Sequence, residues 1–271
     1  MRLNTSMNNK DWGMEKSYLH STRQHLWNND YFEFLVKCVW KIDKPVRIID
    51  FGCGYGYLAQ MLLPLVPQGS TYKGIDISEA LIAEAQEIFA GQKDVCFEVA
   101  DLNEYEPTSE YDIAICQAVL RHLTKPEDIL KKMIGAVKEN GLVICIEPSR
   151  RIENAGIFVE SNSYNPFEND EFLKQRWLSE EQSGGRDYQI GMRIPVFMKK
   201  LGLKNVGVRI NDYVDFVSEG YADFESEQRR FITDHGLDEK YADSNSYLAA
   251  RCHVISYGYK NEVEKHKDII G

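Results

Sequence analysis

The sequence lacks several patterns that would point to particular protein classes. Its six cysteines form no C-x-x-C pair, and H-x-x-H and H-E-x-x-H motifs are missing, so we expect core cysteines and no metal site. No apolar run approaches the roughly twenty residues of a membrane-spanning helix. The amino-terminal residues also lack a signal-peptide pattern. These features predict a soluble, cytoplasmic protein without a membrane partner.

Positive charge is also scarce. The chain has 32 Lys and Arg against 42 Asp and Glu, which gives a net charge of −10. Such a protein repels phosphate backbones, so we expect no nucleic-acid partner. The hydrophobic fraction of 43% over 271 residues is ample for a large folded core.

Three glycines lie between a predicted strand and a predicted helix. Residues 46–51 form a short apolar and β-branched run typical of a buried strand, and the residues from Tyr57 onward have helical spacing. Gly52, Gly54 and Gly56 occupy the turn. Glycine accepts backbone angles that a Cβ atom would forbid, and it lets a ligand approach the main chain at the start of the following helix. The turn therefore predicts a nucleotide-binding loop.

A second predicted strand, at residues 71–78, contains an acid near its end. Asp76 follows Gly56 by twenty residues, the distance at which a βαβ unit places a carboxylate beside ribose hydroxyls. The glycine turn alone would be a weak signal, because many strand-to-helix turns bind nothing. Together with Asp76 it predicts an adenosine site.

Four short segments, in this order, resemble the motifs of class I S-adenosylmethionine-dependent methyltransferases of the small-molecule type. They are Asp50-Phe51-Gly52-Cys53-Gly54-Tyr55-Gly56, Gly74-Ile75-Asp76-Ile77-Ser78, Ala100-Asp101-Leu102 and Tyr111-Asp112-Ile113-Ala114. The similarity covers about residues 45 to 147. Nicotinamide-binding proteins more usually show G-x-G-x-x-G, whereas this chain has G-x-G-x-G preceded by an acid. The resemblance implies S-adenosylmethionine as the cofactor.

The resemblance also implies roles for individual residues. Asp50 would face the ammonium group of the cofactor and Asp76 its ribose hydroxyls, while Ile77 would contact adenine. Asp101 would accept the adenine amino group and Leu102 would stack on the ring. Strand packing is the alternative for Ile77, and a surface acid is the alternative for Asp101. The expected cofactor-binding set is Asp50, Gly52, Cys53, Gly54, Gly56, Asp76, Ile77, Asp101, Leu102 and Gln117.

Methyl transfer from a sulfonium requires no fixed catalytic triad, because the cofactor brings the driving force and the protein aligns and deprotonates the acceptor. In the family, the segment from Gln117 to His122 runs beside the transferring methyl group. His122 is therefore the expected catalytic base, with a structural histidine as the alternative. Glu147 is a rival base, and His20 or His25 are further candidates from the amino-terminal helices.

Strands and helices alternate between residues 46 and 147, and the strands are continuous apolar runs, as parallel strands covered on both faces should be. We predict an α/β fold with a doubly wound, Rossmann-like sheet that binds ligands at the carboxyl ends of its strands. The resemblance implies seven strands, parallel except for one antiparallel edge strand, with residues 206–217 and 252–259 as the final two. Helices are predicted at residues 224–235 and 238–251.

Two regions flank or interrupt this pattern. Residues 1–44 would form a polar tail and a helical cap over the cofactor, although packing explains their aromatic side chains equally well. Residues 148–186 are rich in turn residues and aromatics and would form a lid, with an ordinary surface excursion as the alternative. The methyltransferase domain would then span residues 45–271, with a further insertion at 218–249.

The expected function is methyl transfer to an O, N or C nucleophile of a small apolar or aromatic metabolite. Two alternatives stay open. One is a nucleotide-linked oxidoreductase of the NAD type with an unusual glycine turn, and the other is a non-catalytic module that binds S-adenosylmethionine. A homodimer is left open by the sequence.

Overall fold

The computed structural model describes residues 16–162, 171–184, 186–220 and 222–261. The predicted polar tail (residues 1–15) and residues 163–170 of the predicted lid lie outside this part of the chain. The α-helices are α1 (Lys16–Gln24), α2 (Asn29–Phe34), α3 (Tyr57–Leu62), α4 (Glu79–Ile88), α5 (Pro126–Ala136), α6 (Arg150–Ala155), α7 (Glu171–Gln182), α8 (Ile190–Lys200) and α9 (Phe224–His235). Among the described residues, no helix is both long and apolar enough to cross a bilayer.

Ten strands are described. They are β1 (Arg47–Phe51), β2 (Thr71–Asp76), β3 (Val95–Val99), β4 (Tyr111–Gln117), β5 (Val137–Pro148), β6 (Ile157–Val159), β7 (Lys204–Ile210), β8 (Val214–Ser218), β9 (Ser246–Ala250) and β10 (His253–Tyr259). Seven of these strands form the central sheet in the order β3-β2-β1-β4-β5-β10-β7. The neighbouring strands β3, β2, β1, β4 and β5 pair in parallel. Strand β10 runs antiparallel to both β5 and β7.

The predicted Rossmann-like sheet is therefore confirmed, with its seven strands and the antiparallel pairing of its last two strands at one edge. The antiparallel strand, β10, lies second from that edge, with β7 outside it. Helix α4 also forms as expected, because the Ser78 hydroxyl accepts a hydrogen bond from the Leu81 N–H and caps its first turn.

Alternate strand residues point to opposite faces of the sheet and form two apolar layers. On one face, Ile48 and Ile146 pack in a cluster with Trp27 from the segment after α1; we call this the N-terminal face. On the other face, Phe51 packs in a cluster with Ile194 of α8. Both layers are buried, which explains why the strands read as continuous apolar runs.

A second, smaller sheet lies outside the central one. Its strand order is β6-β9-β8, and both pairs are antiparallel. Helix α9 covers one face, where Phe231 packs on Tyr247 with their ring centroids 5.3 Å apart. This small sheet joins the first part of the predicted lid region to two later segments of the chain.

The small sheet overturns two predictions. The single strand predicted over residues 206–217 is in fact two strands, β7 and β8, which belong to different sheets. Between them Asn211 is buried, and its side chain donates to the Leu26 carbonyl and accepts from the His253 N–H, both at 2.8 Å. These bonds replace a regular strand ladder and let the chain leave the central sheet.

The helix predicted over residues 238–251 is also wrong. This segment contains a short 3₁₀ turn, Glu239–Tyr241, followed by strand β9. Leu248, Ala249 and Ala250 have good helix propensity, but β9 is hydrogen-bonded between β6 and β8. Tertiary pairing therefore overrides the local preference.

Candidate active site

The glycine turn connects β1 to α3 at the carboxyl edge of the central sheet. Its three glycines have φ angles of +78°, +55° and +81°, a region that strains residues with a Cβ atom. The Gly52 N–H donates to the Ile75 carbonyl at 2.7 Å, which fastens the turn to β2. A Cβ atom on Gly52 would lie 2.5 Å from Cγ2 of Val119. Both the backbone angle and the close approach therefore require glycine here.

Asp76 ends β2 and holds the same turn from the other side. One carboxylate oxygen accepts the Gly54 N–H, and the other accepts the Ser78 N–H, both at 2.9 Å. Burial raises the pKa of Asp76, while the bonds from backbone N–H groups oppose the increase. Beside it, the Ile77 side chain is 60% exposed. The structure thus brings an acid and an open apolar surface together at the end of β2.

Asp50 lies one strand away and is almost fully buried. The Tyr72 hydroxyl donates to its Oδ2 atom, whereas Oδ1 is buried and has no hydrogen-bond partner within the described residues. Burial raises the pKa of Asp50 to about 7, although the bond from Tyr72 lowers it. An unpartnered buried carboxylate oxygen is costly, and a cationic ligand group would satisfy it. The ammonium group of S-adenosylmethionine fits this requirement.

A cavity lies above the turn, against Asp50 and Gln117. Helix α1 closes one side of it through Leu19 and Arg23. Nothing in the motif pattern pointed to these two residues, and only the apolar stripe of the amino-terminal segment predicted a helix that could cover the site. Tyr72 was also missed, because it reads as an ordinary strand residue.

Cys53 lies inside the turn, where it lines the cavity and packs against Gly74. Its thiol is buried, and a Cβ atom on Gly74 would lie only 2.7 Å from its Sγ atom. Burial, followed by the nearby charges of Asp50 and Asp76, raises its thiol pKa well above the ordinary value. The Cys53 thiol is therefore not poised as a nucleophile.

The structure separates Asp101 from Leu102. Asp101 is half-buried just after β3, and its Oδ1 atom accepts the backbone and side-chain N–H groups of Asn103 at 2.8 and 2.9 Å. Leu102 is buried in the cluster that contains Phe51 and Ile75. Its side chain therefore belongs to the core, and its expected stacking on adenine stays a prediction without support from this arrangement.

His122 ends a 3₁₀ turn, Leu120–His122, that follows β4. Glu147 holds this turn in place: its Oε1 atom accepts the N–H groups of Val119 and Leu120 at 2.9 and 2.8 Å, and its Oε2 atom accepts the Arg121 N–H at 3.4 Å. Burial raises the pKa of Glu147 to about 7 against these bonds. Glu147 is thus assigned to supporting the turn, and sequence reasoning had placed it as a rival base.

The described residues contain no group of three or more His, Cys, Asp or Glu that could hold a metal ion. The site can instead offer a buried carboxylate, a glycine-lined backbone and a second carboxylate at neighbouring strand ends. These features match the needs of a charged amino acid joined to a nucleoside.

Comparison with known proteins agrees with this geometry. Residues 49–143 match the family model described as a methyltransferase domain. Over these residues the chain therefore matches a methyltransferase domain. The chain is 29% identical over 106 residues to malonyl-[acyl-carrier protein] O-methyltransferase of Halalkalibacterium halodurans, covering 38% of this chain and 39% of that protein. Ubiquinone biosynthesis O-methyltransferase of Glaesserella parasuis is 27% identical over 104 residues, which cover 36% of this chain and 43% of that protein.

The methyltransferase fold extends beyond the matched segment. The structure superposes on phosphoethanolamine N-methyltransferase 2 of Haemonchus contortus, solved with phosphomonomethylethanolamine and S-adenosylhomocysteine. The TM-score is 0.58 at 16% identity, with 96% of this chain and 61% of that chain covered. At this identity the similarity concerns the fold. The chain spans about two fifths of the length of the two curated relatives described above.

Proposed function

We propose that the protein transfers a methyl group from S-adenosylmethionine to an O, N or C nucleophile of a small metabolite. The observation that carries this proposal is the buried Asp50 oxygen without a hydrogen-bond partner within the described residues, next to the glycine turn. A buried carboxylate favours a cationic amino acid at this position and would repel the pyrophosphate of a nicotinamide cofactor. The oxidoreductase alternative is therefore disfavoured by charge.

The proposed roles follow from position along the carboxyl edge. Asp50 binds the ammonium group, and the glycine turn lies against the methionyl part. Asp76 accepts the ribose hydroxyls, with Ile77 beside adenine. Asp101 is proposed to bind the adenine amino group. These assignments use charge-assisted hydrogen bonds, which give both affinity and orientation.

When bound, the sulfonium cofactor supplies an activated methyl group for in-line displacement. The chain needs to align the acceptor with it, exclude water and remove a proton where the nucleophile requires this. Gln117 lines the cavity and is proposed to form its wall. His122 remains the proposed base, on the turn that Glu147 holds.

Isothermal titration calorimetry with S-adenosylmethionine, S-adenosylhomocysteine and NADH tests the proposal. We expect both sulfur compounds to bind and NADH not to bind. Asp76→Asn should weaken S-adenosylhomocysteine binding by about tenfold, because a charged acceptor is lost. Asp94→Asn, which removes an exposed acid near the start of β3, is the matched control and should bind normally.

Binding of NADH without S-adenosylmethionine would overturn the proposed cofactor. Unchanged affinity in the Asp76→Asn variant would remove Asp76 from the site. Cofactor binding without turnover, across a broad panel of O, N and C acceptors, would instead favour the non-catalytic binding module.

A further inference from the structure

Three buried polar side chains lie at the carboxyl edge of the parallel strands and carry atoms without a hydrogen-bond partner in the described part of the chain. Asp50 and Gln117 lie at the ends of β1 and β4, and His253 begins the antiparallel strand β10. These atoms are Asp50 Oδ1, Gln117 Nε2 and His253 Nδ1. Their residues are 1%, 7% and 6% exposed. Buried polar atoms are rarely left unpaired in folded proteins, so these three atoms are candidates for hydrogen bonds to a ligand.

The strand register puts all three side chains on one face. The Cα partners are Asp50↔Ile115, Gln117↔Ile146 and His253↔Pro148. Residues two apart in a strand share a face of the sheet. Ile115 and Gln117 are two apart in β4, and Ile146 and Pro148 are two apart in β5. Asp50, Gln117 and His253 therefore lie on the same face. This is the N-terminal face, because Ile115 and Ile146 pack there. Across β1, β4, β5 and β10 the row spans about 14 Å.

The two ends of the row have opposite character. The Asp50 end offers an acceptor oxygen, which suits a cation. Around His253, by contrast, the charged groups that act on the ring are Arg23, Arg121 and Arg251, with Glu153 as the one carboxylate. Glu153 is itself paired with an arginine on α6 at 3.0 Å. Arginines thus outnumber carboxylates among the charges that act on the His253 ring.

Arg251 has buried donor atoms that a ligand anion would satisfy. It is 6% exposed, and its Nε and Nη2 atoms are buried without a hydrogen-bond partner among the described residues. Its Nη2 atom forms ion pairs with Asp234, at 3.6 Å, and with Asp215, at 3.9 Å, and both distances are longer than a hydrogen bond. Both of these carboxylates are already bound by Arg230, at 3.3 Å and 2.8 Å respectively.

Arg23 connects the two ends. It lines the cavity beside Asp50, and its charge also acts on His253. Burial lowers the pKa of His253 to about 3, and the three arginines add to this effect against Glu153, so the ring is neutral near pH 7. A neutral imidazole among guanidinium groups can donate one hydrogen bond to an anion while the arginines supply the charge.

We propose that the methyl acceptor carries an anionic oxygen group, a carboxylate or a phosphate, which binds at the His253 end of this row against Arg251 and Arg23. The inference rests on the proposed function, since the Asp50 end is taken by the cofactor. The acceptor then lies along the row, with its anion away from the sulfonium and its nucleophile near Gln117. An aromatic acid satisfies both this requirement and the aromatic class expected from the sequence.

Calorimetry on protein saturated with S-adenosylhomocysteine tests this inference. The probes are benzoate, phenyl phosphate and benzamide, which is the uncharged counterpart of benzoate. We expect benzoate or phenyl phosphate to bind at least about tenfold more tightly than benzamide, as a charged hydrogen-bond pair requires. The tighter of the two anions identifies the group as carboxylate or phosphate.

Arg251→Gln and Arg23→Gln should each reduce the preference for the anion by about tenfold. Arg209→Gln removes an exposed cation from strand β7 and should leave the preference for the anion unchanged. Circular dichroism and thermal unfolding establish that each variant is folded. Because Arg251 is buried, its variant is the one at risk of misfolding, and Arg23→Gln then decides alone.

Equal or undetectable binding of the three probes to the saturated protein would overturn the anionic acceptor and leave methyl transfer intact. A preference for the anion that survives in Arg23→Gln and in a folded Arg251→Gln would overturn the assigned residues. Failure to bind S-adenosylhomocysteine at all would instead contradict the proposed function.

Discussion

The glycine turn and the small sheet differ in how far apart in the chain their contacting residues lie. The turn bonds to residues about one βαβ unit away: Gly54 bonds to Asp76, 22 residues further on. The small sheet pairs Phe158 with Leu248, a separation of 90 residues (248 − 158). Short-range contacts leave a spacing pattern in the sequence, and long-range pairs leave none that a single sequence reveals.

The two regions also use charge differently. Around the turn, buried polar atoms are left for a ligand. In the small sheet, Asp215 of β8 is buried and fully engaged, because Arg230 donates two hydrogen bonds to it and the His235 ring lies 3.2 Å from it. Burial alone would raise the pKa of Asp215, but the bonds from Arg230 and His235 hold it below its usual range. One region is organised for binding, and the other is held together by its own ion pairs.

Asp215→Asn should produce the largest effect and test whether the two regions are independent. The substitution leaves Arg230 and His235 beside a neutral amide, so we expect a loss of about 4 kcal/mol in the free energy of unfolding. Urea denaturation followed by circular dichroism measures it. Asp243→Asn, an exposed acid near β9, is the control. If the affinity for S-adenosylhomocysteine falls together with the free energy of unfolding, the two regions are not independent.

Gly52→Ala should come next, with an expected loss of about 3 kcal/mol from the positive φ and the contact with Val119. Gly91→Ala is a matched control, because Gly91 has φ of +86° but nothing within 4 Å of a Cβ atom. It should lose about 1 kcal/mol from backbone strain alone. Thermal unfolding of both variants separates the two contributions. Equal losses would show that the contact with Val119 is unimportant.

Cofactor affinity should depend on pH through Asp50. Its pKa of about 7 means that the carboxylate becomes protonated below that pH and loses its attraction for an ammonium group. We expect S-adenosylhomocysteine to bind up to about tenfold more weakly near pH 6 than near pH 8. Methylthioadenosine lacks the amino acid and should show no such change. A parallel pH dependence for both ligands would exclude Asp50 as the cause.

The same pKa has the opposite sign for the stability of the free protein. Burial raises the pKa of Asp50 above the unfolded value, so the folded state holds a proton that the unfolded state has lost between about pH 4 and pH 7. Stability without cofactor should therefore decrease as pH rises through this window. Asp50→Asn should remove this contribution in denaturant titrations at several pH values.

The smallest effect is expected at helix α1. Lys16 and His20 contact Glu84 of α4 at 2.8 and 2.6 Å, and Arg23 of the same helix lines the cavity. Partly exposed ion pairs are weak, so Glu84→Gln should raise the dissociation rate of S-adenosylhomocysteine only about threefold. Stopped-flow displacement measures this rate, with Glu87→Gln on the exposed side of α4 as the control. No change would mean that α1 is held by other contacts.

Sequence patterns predicted the parts of the site that depend on local structure. The alternation of strands β1 to β5 with helices along the chain, the Ser78 cap and the positions of Asp50 and Asp76 at strand ends all follow from periodicity and spacing. The direction of individual side chains was not predicted by these patterns. Leu102 was expected beside the cofactor, yet it packs into the core with Phe51. Its neighbour Asp101 does lie at the surface of the same edge.

The chain by itself determined the cofactor half of this protein, because the glycine turn and its acids are fixed by contacts within one or two βαβ units. The residues proposed for the acceptor half come together only in the tertiary structure. It brings Gln117 and His253 to one face through strand register, places Arg23 of α1 in the cavity that Gln117 lines, and holds the turn of His122 through Glu147. These residues are remote in sequence, and their joint meaning depends on strand order, which a single sequence does not encode as a local pattern.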